Sequence, residues 1–344
     1  METQEINTAV VVLNWNGINW LKKFLPILIE KSKGANIYIA DNASIDNSLE
    51  YVNDNFPNVK VLKNFSNEGY AKGYNDALET LKEEFFVLIN SDIEVTDNWI
   101  KPIINLMEAN SDIAACQPKI LSFHDRNKFE YAGACGGFID TLGYPFCRGR
   151  IFSDLEDDNN QYNDITEVFW ASGACLFVRA KHFKEVNGFD NDFFAHQEEI
   201  DLCWRLKNKS YKIMVEPESK VLHIGGATLE KSSPKKTYLN FRNNLYMLFK
   251  NLKLNQLLFI IPIRLILDGI AAFTFLFQRN GFLHFLSIIK AHFTFYLNIN
   301  KLIRKRSKIK QKSNHKGIMN NSILFLNKIK KNNKFSDLEK YFNE

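Results

Sequence analysis

The sequence predicts an α/β protein built on a Rossmann-like, mostly parallel sheet flanked by helices. Short apolar runs alternate with helical stretches through the first half of the 344-residue chain, which is the pattern of successive βαβ units. Two of these runs end at aspartates, as expected where strands deliver polar side chains to the ligand-binding edge of such a sheet. The length allows one large domain with a sizeable appendage.

Each element follows from local composition. Short apolar runs predict strands, and the longer stretches between them predict helices. In chain order, the predicted strands are Thr8–Leu13, Asn36–Ala40, Val59–Leu62, Phe85–Ile89, Ser172–Val178 and Val221–His223, and the predicted helices are Trp20–Lys31, Gly73–Glu83 and Glu198–Lys207.

The amino-acid composition of the chain changes after residue 250. Leu254–Phe277 is almost continuously apolar and is interrupted by Arg264 and Asp268, and Gly281–Ile299 is a second apolar, aromatic stretch. A basic run at 301–312 follows, with seven Lys and Arg in twelve residues. These changes divide the chain into a globular domain at 1–250, an apolar and basic helical segment that associates with membranes at 251–312, and a polar tail at 313–344.

The net charge of +5 hides an asymmetry between the two parts of the chain. Residues 251–344 hold 17 Lys and Arg against 4 Asp and Glu, whereas residues 1–250 hold 27 against 35. A basic end on an acidic body indicates an anionic partner, either lipid or nucleic acid. We expect an anionic membrane surface and no nucleic acid, because the basic run follows apolar stretches and no nucleic-acid-binding signature is present.

The apolar stretches predict contact with the membrane but not a span. Leu254–Phe277 is long enough to cross a bilayer, yet an isolated charge at its centre costs about 2.5–3.5 kcal/mol. Arg264 and Asp268 are four residues apart and could pair on one helix face. The second stretch carries a lysine and two histidines. We therefore expect peripheral helices on the inner face of the cell membrane; packing as core helices on the domain is the alternative.

The cysteines and the N-terminus suit the cytoplasmic side. The five cysteines are scattered without a CxxC pair, which predicts free thiols in a reducing compartment and no zinc site. The first residues are acidic and lead directly into a strand, so we expect no cleaved signal segment.

Polar residues at the predicted strand ends are the candidates for ligand binding. Asp92 follows the fourth strand, where it could hold Mg or Mn, or cap a turn. Asp41 and Asn42 follow the second strand, where they could bind a nucleotide base or ribose, or form a turn. Gly69 and Gly73 come before and at the start of a predicted helix, where glycine permits close backbone approach and the helix N-terminus attracts phosphate.

Two further sites carry ionisable groups. Glu198 and Glu199 open a predicted helix, where one carboxylate could raise the pKa of the other toward that of a general base. Acids in a first helical turn also simply complement the helix dipole. His223 ends a short strand before two glycines; it could be a metal ligand or a hydrogen-bonded structural histidine.

The order of these signals is more specific than any one of them. The chain contains, in succession, VVVLNWNG, DNAS, NEGYAKGYN, LINSD, ASGACLFVR, NGFDNDFFAHQEEIDLCWR and VLHIGG. Over residues 8–250 this succession resembles the family 2 glycosyltransferases of GT-A fold, in the rhamnosyltransferase-like branch of cell-surface polysaccharide assembly. The resemblance implies an inverting, Mn- or Mg-dependent transfer from a UDP- or dTDP-sugar to an acceptor hydroxyl. The expected acceptor is a lipid-linked glycan.

The resemblance also implies roles for individual residues. Asp41 matches a contact to the base, Asp92 the last acid of the metal motif, Glu199 the general base, and His223 a histidine that helps to hold metal and diphosphate. The remaining residues expected at the nucleotide-sugar site are Asn14, Asn42, Asn67, Gly69, Gly73, Asn90, Trp170, Gly173 and Arg242.

Two positions depart from the family pattern. The metal motif, Asn90-Ser91-Asp92, carries a single acid. Glu199 stands where the family usually has Asp, and the longer side chain moves the carboxylate by about one C–C bond, which matters because catalysis is sensitive to angstrom-scale misplacement. The choice of base between Glu198 and Glu199 therefore stays open.

Two other functions remain possible. A nucleotidyltransferase would be expected to have a basic, glycine-rich phosphate loop after the first strand, and none follows Asn14. A non-catalytic, membrane-bound sugar-binding protein on the same fold would be favoured by loss of the metal or base residues, but Asp92, Glu199 and His223 are all present.

Overall fold

The computed structural model describes residues 7–225, 233–278, 281–312 and 314–342. These residues form a nine-stranded mixed sheet flanked by helices, a separate five-stranded sheet, and a C-terminal group of helices. The predicted α/β class is confirmed.

The bounds of the regular elements are as follows. The strands are β1 (Thr8–Asn14), β2 (Asn36–Asp41), β3 (Lys60–Lys63), β4 (Phe85–Asn90), β5 (Ile93–Val95), β6 (Ile113–Ser122), β7 (Gly137–Asp140), β8 (Pro145–Cys147), β9 (Arg150–Ile151), β10 (Asp154–Leu155), β11 (Thr166–Glu167), β12 (Cys175–Arg179), β13 (Lys212–His223) and β14 (Ile318–Met319). The α-helices are α1 (Ile18–Lys31), α2 (Ser48–Asn55), α3 (Gly69–Glu79), α4 (Lys101–Ala109), α5 (Ala180–Glu185), α6 (Glu198–Asn208), α7 (Pro234–Asn251), α8 (Leu254–Phe275), α9 (Gly281–Leu297), α10 (Ile299–Arg306) and α11 (Ile323–Lys328).

The large sheet brings the predicted ligand-binding residues to one edge. Its strand order is β11-β13-β6-β12-β4-β1-β2-β3, with β5 along β13. Strands β1 to β4 run parallel, and β12 runs antiparallel between β4 and β6. In this register Asn14 lies opposite Asp41, and Leu13 lies opposite Asn90. The carboxyl ends of β1, β2 and β4 therefore meet, as the parallel arrangement requires.

Alternation along β1 divides the core between the two faces of the sheet. Val10 and Val12 pack in the cluster that includes α1 and α4, whereas Ala9 and Val11 pack in the larger cluster that includes α3 and α6. All four side chains are at most 2% exposed. A strand buried on both faces has to be apolar at consecutive positions, which explains the continuous run Ala9–Leu13.

The C-terminal residues fold onto the five-stranded sheet. Its order is β10-β9-β8-β7-β14, so a strand from beyond residue 313 completes it. Phe335 and Leu338 are buried in the same core as α6. The domain boundaries at 250 and 312 and the polar tail stay predictions. The elements within 314–342 are only two to six residues long, which makes them hard to predict from the sequence.

Helix α8 buries its two charged residues against the rest of the protein. Arg264 and Asp268 are 3% and 1% exposed and lie 3.2 Å apart, so their predicted pairing is confirmed. The Arg264 guanidinium lies 3.6 Å from the ring centroid of Tyr144, and His292 of α9 reaches within 3.5 Å of Asp268. The side chains left outside on α8 are uncharged. By length and composition, α8 is apolar enough to cross a membrane, with a mean hydropathy of 2.0.

Several cations of the basic run at 301–312 contact the body of the protein. Lys301 lies 2.5 Å from Asp192, Lys305 contacts Asp190 and Asp192, and Arg306 donates to the backbone oxygen of Phe249 at 2.7 Å. These three residues therefore hold α10 on the body of the protein, and attraction of the basic run to an anionic membrane surface stays a prediction. The exposed cations of this run are Lys301, Arg304, Lys308 and Lys310.

Candidate active site

The ends of β1 and β2 form a polar cluster around Asp41. The Asn14 side chain donates to Asp41 at 2.9 Å and to Ser48 at 2.9 Å, and the Ser44 hydroxyl donates to Asp41 at 2.5 Å. Asn14 and Asp41 are at most 2% exposed. Asp46 accepts a hydrogen bond at 3.1 Å from the first backbone N–H of α1. The segment DNAS is thus fixed at the sheet edge before any ligand binds.

Two glycines bring α3 against this cluster. A Cβ on Gly73 would lie 2.5 Å from Oδ1 of Asn42, and the Asn42 amide donates to the backbone oxygen of Gly69 at 3.1 Å. Gly69 has a φ of +91°, and a Cβ there would lie 2.1 Å from the backbone oxygen of Phe194. Helix α3 starts at Gly69, one turn before the predicted start. Asn67 accepts from the backbone N–H of Gly69 at 3.0 Å, which shapes the entrance to the helix.

Asp92 and His223 meet at the ends of β4 and β13. His223 Nε2 lies 3.2 Å from Asp92 Oδ1, and His223 Nδ1 lies 3.0 Å from Glu130 Oε2. All three side chains are at most 7% exposed. Burial by itself lowers the pKa of His223, but the two carboxylates outweigh it and raise that pKa from 6.5 to about 10. Without a cation, His223 therefore carries the positive charge between the two acids.

These residues offer an incomplete coordination shell. Asp92 and His223 are within reach of one ion, but no group of three metal-ligating side chains is arranged around a common point in the described ranges. A divalent ion held here would need oxygen ligands from a bound molecule. That arrangement suits a cation shared with a diphosphate, because Mg and Mn prefer oxygen ligands and bridge phosphate oxygens.

The two acids of α6 differ in their surroundings. Each has an Oε2 atom that is buried without a hydrogen-bond partner among the described residues. Burial raises the pKa of Glu199 from 4.5 to about 7, although backbone N–H groups at the helix start lower it. Burial and the neighbouring Glu199 hold the pKa of Glu198 well above its usual range. At neutral pH, Glu199 is therefore divided between its two forms, and the raised pKa of Glu198 favours the protonated form of that carboxyl.

Glu199 lies beside residues 173–174, a segment that is hydrogen-bonded to α3 and to the end of β4. A Cβ on Gly173 would lie 3.6 Å from the Cβ of Glu199 and 3.0 Å from the hydroxyl of Tyr70. That hydroxyl donates to the backbone oxygen of Gly173 at 2.7 Å. The backbone N–H of Asn90 donates to the backbone oxygen of Ala174 at 2.9 Å, so the segment beside Glu199 is also hydrogen-bonded to the end of β4. The lack of a side chain at residue 173 leaves space beside the carboxylate.

The loop that positions α6 is held by a buried ionic network. Lys250 of α7 lies 2.5 Å from Asp190 and 2.9 Å from Asp201 of α6, and Lys305 also contacts Asp190. The Asn243 amide donates to the backbone oxygens of residues 195 and 196 at 2.9 and 2.8 Å. His196 and Gln197 both have a positive φ, near +70°. The network therefore holds a strained turn directly before Glu198.

Two predicted residues lie in packed surroundings. The Trp170 ring covers Gly137, where a Cβ would lie 2.1 Å away, and its Nε1 donates to the backbone oxygen of Phe138 at 3.0 Å. Arg242 donates to the backbone oxygen of Asp192 at 2.8 Å and to Asn243. Both hydrogen-bond within the protein, so their roles toward a sugar or phosphate stay predictions.

Sequence reasoning missed Glu130 and its neighbour Arg150. Arg150 is 6% exposed, and its guanidinium lies 4.5 Å from the ring centroid of Tyr131. Glu130 lies in the irregular segment between β6 and β7, and Arg150 begins the two-residue strand β9, so no period or motif singles out either residue. Their acidic and basic side chains were the only signal in the sequence.

The comparisons with known proteins agree on one family. The profile described as "Glycosyl transferase family 2" matches residues 9–186. An N-acetylglucosaminyl-diphospho-decaprenol L-rhamnosyltransferase of Mycobacterium tuberculosis is 26% identical over 233 residues, with 62% of this chain and 75% of that protein covered. Rhamnosyltransferase WbbL of Escherichia coli is 23% identical over 227 residues, with 62% and 82% covered.

Solved structures with the same fold include two transferases. GalNAc-T7 with UDP, GalNAc and Mn²⁺ superposes with a TM-score of 0.56 at 16% identity, covering 73% of this chain and 49% of that one. Mannosyltransferase PcManGT from Pyrobaculum calidifontis, in complex with GDP-Man and Mn²⁺, superposes with a TM-score of 0.51 at 12% identity, covering 86% and 88%. At these identities the likeness concerns the GT-A fold.

Proposed function

Because the chain belongs to glycosyl transferase family 2 and is therefore a glycosyltransferase, we propose that it transfers a sugar with inversion from a UDP- or dTDP-activated donor to an acceptor hydroxyl. The observation that carries this proposal is the buried carboxyl of Glu199, whose pKa is raised to about 7 beside the space at Gly173. A general base is most effective when its pKa lies near the working pH.

The reaction requires one bond to form as another breaks. The acceptor oxygen attacks the anomeric carbon from the side opposite the diphosphate, and the bond between that carbon and the diphosphate oxygen breaks. The acceptor proton passes to Glu199, and the bonding electron pair leaves with the diphosphate. The raised pKa of Glu198 favours its uncharged form, which limits the negative charge that would repel the incoming acceptor oxygen.

Asp92 and His223 are the residues that would hold a divalent ion, Mn or Mg, with the donor. Such an ion supplies Lewis-acid stabilisation of the leaving diphosphate. Their separation of 3.2 Å and near-complete burial support this assignment. The cluster of Asn14, Asp41 and Asn42 would bind the nucleoside, because it lies at the same sheet edge and is already held by hydrogen bonds.

The proposed acceptor is a lipid-linked glycan in cell-surface polysaccharide assembly, presented at the cytoplasmic face of the membrane. The first relative is named for a decaprenol-linked acceptor. Outward-facing apolar side chains of α8 and α9 support peripheral attachment. Those more than half exposed include Leu258, Phe259, Ile266, Phe273, Phe282, Phe293 and Leu297. Helices of this kind lie in the interface with their apolar side in the acyl region.

Donor binding tests the enzymatic part of the proposal. Calorimetric titration of UDP, dTDP and GDP, each with and without Mn²⁺, should give one nucleotide whose binding depends on the ion. Asp92→Ala should bind that nucleotide equally weakly with and without Mn²⁺. Metal-independent binding by the unaltered protein would contradict the assignment of Asp92 and His223.

Sedimentation with vesicles tests the membrane part. The protein should pellet with vesicles that contain anionic lipid and should be released by high salt or alkaline carbonate. Phe259→Asp with Phe273→Asp should abolish pelleting, whereas Phe65→Asp, at a fully exposed phenylalanine outside these helices, should not. A protein that stays soluble at low salt refutes attachment, and one that only detergent releases refutes the peripheral topology.

A further inference from the structure

Glu130 is a buried acid beside the proposed metal residues that no motif identifies. It is 7% exposed, and its Oε2 lies 3.0 Å from Nδ1 of His223. The opposite ring nitrogen, Nε2, lies 3.2 Å from Asp92. The imidazole is thus bracketed by two carboxylates, of which only one belongs to the strand-end motif Asn90-Ser91-Asp92.

Three local features hold the Glu130 carboxylate at the histidine. Its Oε2 accepts a hydrogen bond from the backbone N–H of Ala132 at 2.5 Å. Its own backbone N–H donates to Ile120 of β6 at 3.0 Å. On the other side, a Cβ on Gly225 would lie 2.6 Å from Oε1, and Gly225 has a φ of +74°. The chain after His223 therefore leaves room for Glu130 only because residue 225 is glycine.

We propose that Glu130 is a positioning residue that fixes the ring of His223 so that Nε2 is presented to the metal ion. An imidazole that donates Nδ1–H to a fixed carboxylate cannot rotate freely, and its Nε2 lone pair points the opposite way. Metal-bound histidines commonly donate their second N–H to such an acceptor, which orients the ring and makes it a stronger ligand. Glu130 would thereby compensate for the single acid of the motif. This inference rests on the proposed role of His223 in holding the metal.

The affinity for metal separates this role from that of a structural ion pair. A structural pair would affect the stability of the fold, whereas a positioning residue affects the affinity for metal in a protein that is still folded. Loss of such an orienting acceptor weakens metal binding by roughly 10- to 100-fold. Glutamine at position 130 retains an oxygen that can accept from Nδ1–H, so it should restore most of what alanine loses.

The test is the affinity for Mn²⁺ itself, measured by the loss of the free-ion electron paramagnetic resonance signal in the presence of UDP. Glu130→Ala should raise the dissociation constant of Mn²⁺ roughly 10- to 100-fold, and Glu130→Gln should raise it less. Gly225→Ala, which displaces the carboxylate without removing it, should resemble Glu130→Ala. Glu218→Gln is the control, because Glu218 is an exposed carboxylate on the same strand as His223.

The Mn²⁺ affinities of these variants distinguish a positioning role of Glu130 from the alternatives. Unchanged Mn²⁺ affinity in Glu130→Ala, with only a lower thermal midpoint, overturns the positioning role and leaves a structural pair. Equal losses in Glu130→Gln and Glu130→Ala overturn it in favour of direct ligation by the carboxylate. If the unaltered protein with UDP binds no Mn²⁺ or Mg²⁺, the metal role of His223 fails together with this inference. If Gly225→Ala does not fold, the two Glu130 variants decide the matter.

Discussion

Replacing Glu199 by Gln should abolish turnover and, at alkaline pH, make the protein more stable. Burial raises the pKa of this carboxyl from 4.5 to about 7, and its Oε2 is buried without a hydrogen-bond partner among the described residues. The folded protein therefore keeps a charge in a poorly solvated position, which an uncharged amide avoids. A residue held in this way serves catalysis at a cost in stability.

The sign and size of the effect follow from proton linkage. A carboxyl whose pKa is higher in the folded protein than in the unfolded chain destabilises the fold as it ionises. The penalty is absent well below pH 4.5, grows as the pH rises toward 7, and is constant above that. The two pKa values correspond to roughly 3 kcal/mol at pH 8.5 and to less than about 1 kcal/mol at pH 5.

Urea unfolding at pH 5 and pH 8.5 measures this difference, and the turnover of Glu198→Gln is the matched control for the catalytic role of Glu199. Glu199→Gln should gain roughly 3 kcal/mol at pH 8.5 and little at pH 5. Its turnover should fall by about 10² or more, the usual scale for a lost base. Glu198→Gln should also become more stable as the pH rises, because burial raises the pKa of the Glu198 carboxyl in the fold whereas the unfolded chain ionises it, but this variant should keep its turnover.

The rate of the unaltered enzyme should depend on the same proton. A base with a pKa of about 7 is ionised about ten times more at pH 8 than at pH 6, so turnover should rise about tenfold over that interval. If Glu198→Gln is the inactive variant and Glu199→Gln remains active, the base is the other glutamate. If neither variant is more stable at pH 8.5, the buried-charge reasoning is refuted.

Three further predictions concern the rest of the site. Asp92→Ala should erase the difference between donor binding with and without Mn²⁺ in calorimetry, while leaving the metal-free affinity unchanged. Lys250→Ala leaves two buried aspartates without their shared cation and should lower the free energy of unfolding in urea by roughly 3–5 kcal/mol, whereas Lys212→Ala, at a half-exposed pair, should cost at most about 1 kcal/mol. Gly73→Ala should weaken UDP binding because its Cβ displaces a site asparagine, whereas Gly269→Ala, where a Cβ meets nothing within 4 Å, should not.

The strand-end residues could be predicted because the sheet itself determines where they lie. Parallel strands end at the same edge, so the positions of Asn14, Asp41 and Asp92 follow from recognising three apolar runs and their order. His223 and Glu199 were found by the succession of motifs. In each case a short local pattern places one residue at the end of a strand or the start of a helix. Such a position can be predicted from a single sequence.

The supporting residues could not be predicted, because they act through contacts that are distant in sequence. Glu130 reaches His223 from an irregular segment more than ninety residues away. The sequence places Lys305 in a basic run that predicts contact with an anionic membrane surface, whereas in the fold Lys305 pairs with Asp190 and Asp192. A charge pattern gives the number of cations and their order, while the partner of each depends on tertiary packing.

The most direct test of the account is the anomeric configuration of the first product formed. The protein is incubated with Mn²⁺ and a UDP- or dTDP-sugar, and proton NMR follows the sugar released to water or to an added acceptor during the first minutes. An inverting transfer with Glu199 as the base gives the anomer opposite to that of the donor, and it gives no product with Glu199→Gln. Retention of the donor configuration, or undiminished turnover by Glu199→Gln, would contradict an inverting transfer with Glu199 as the base.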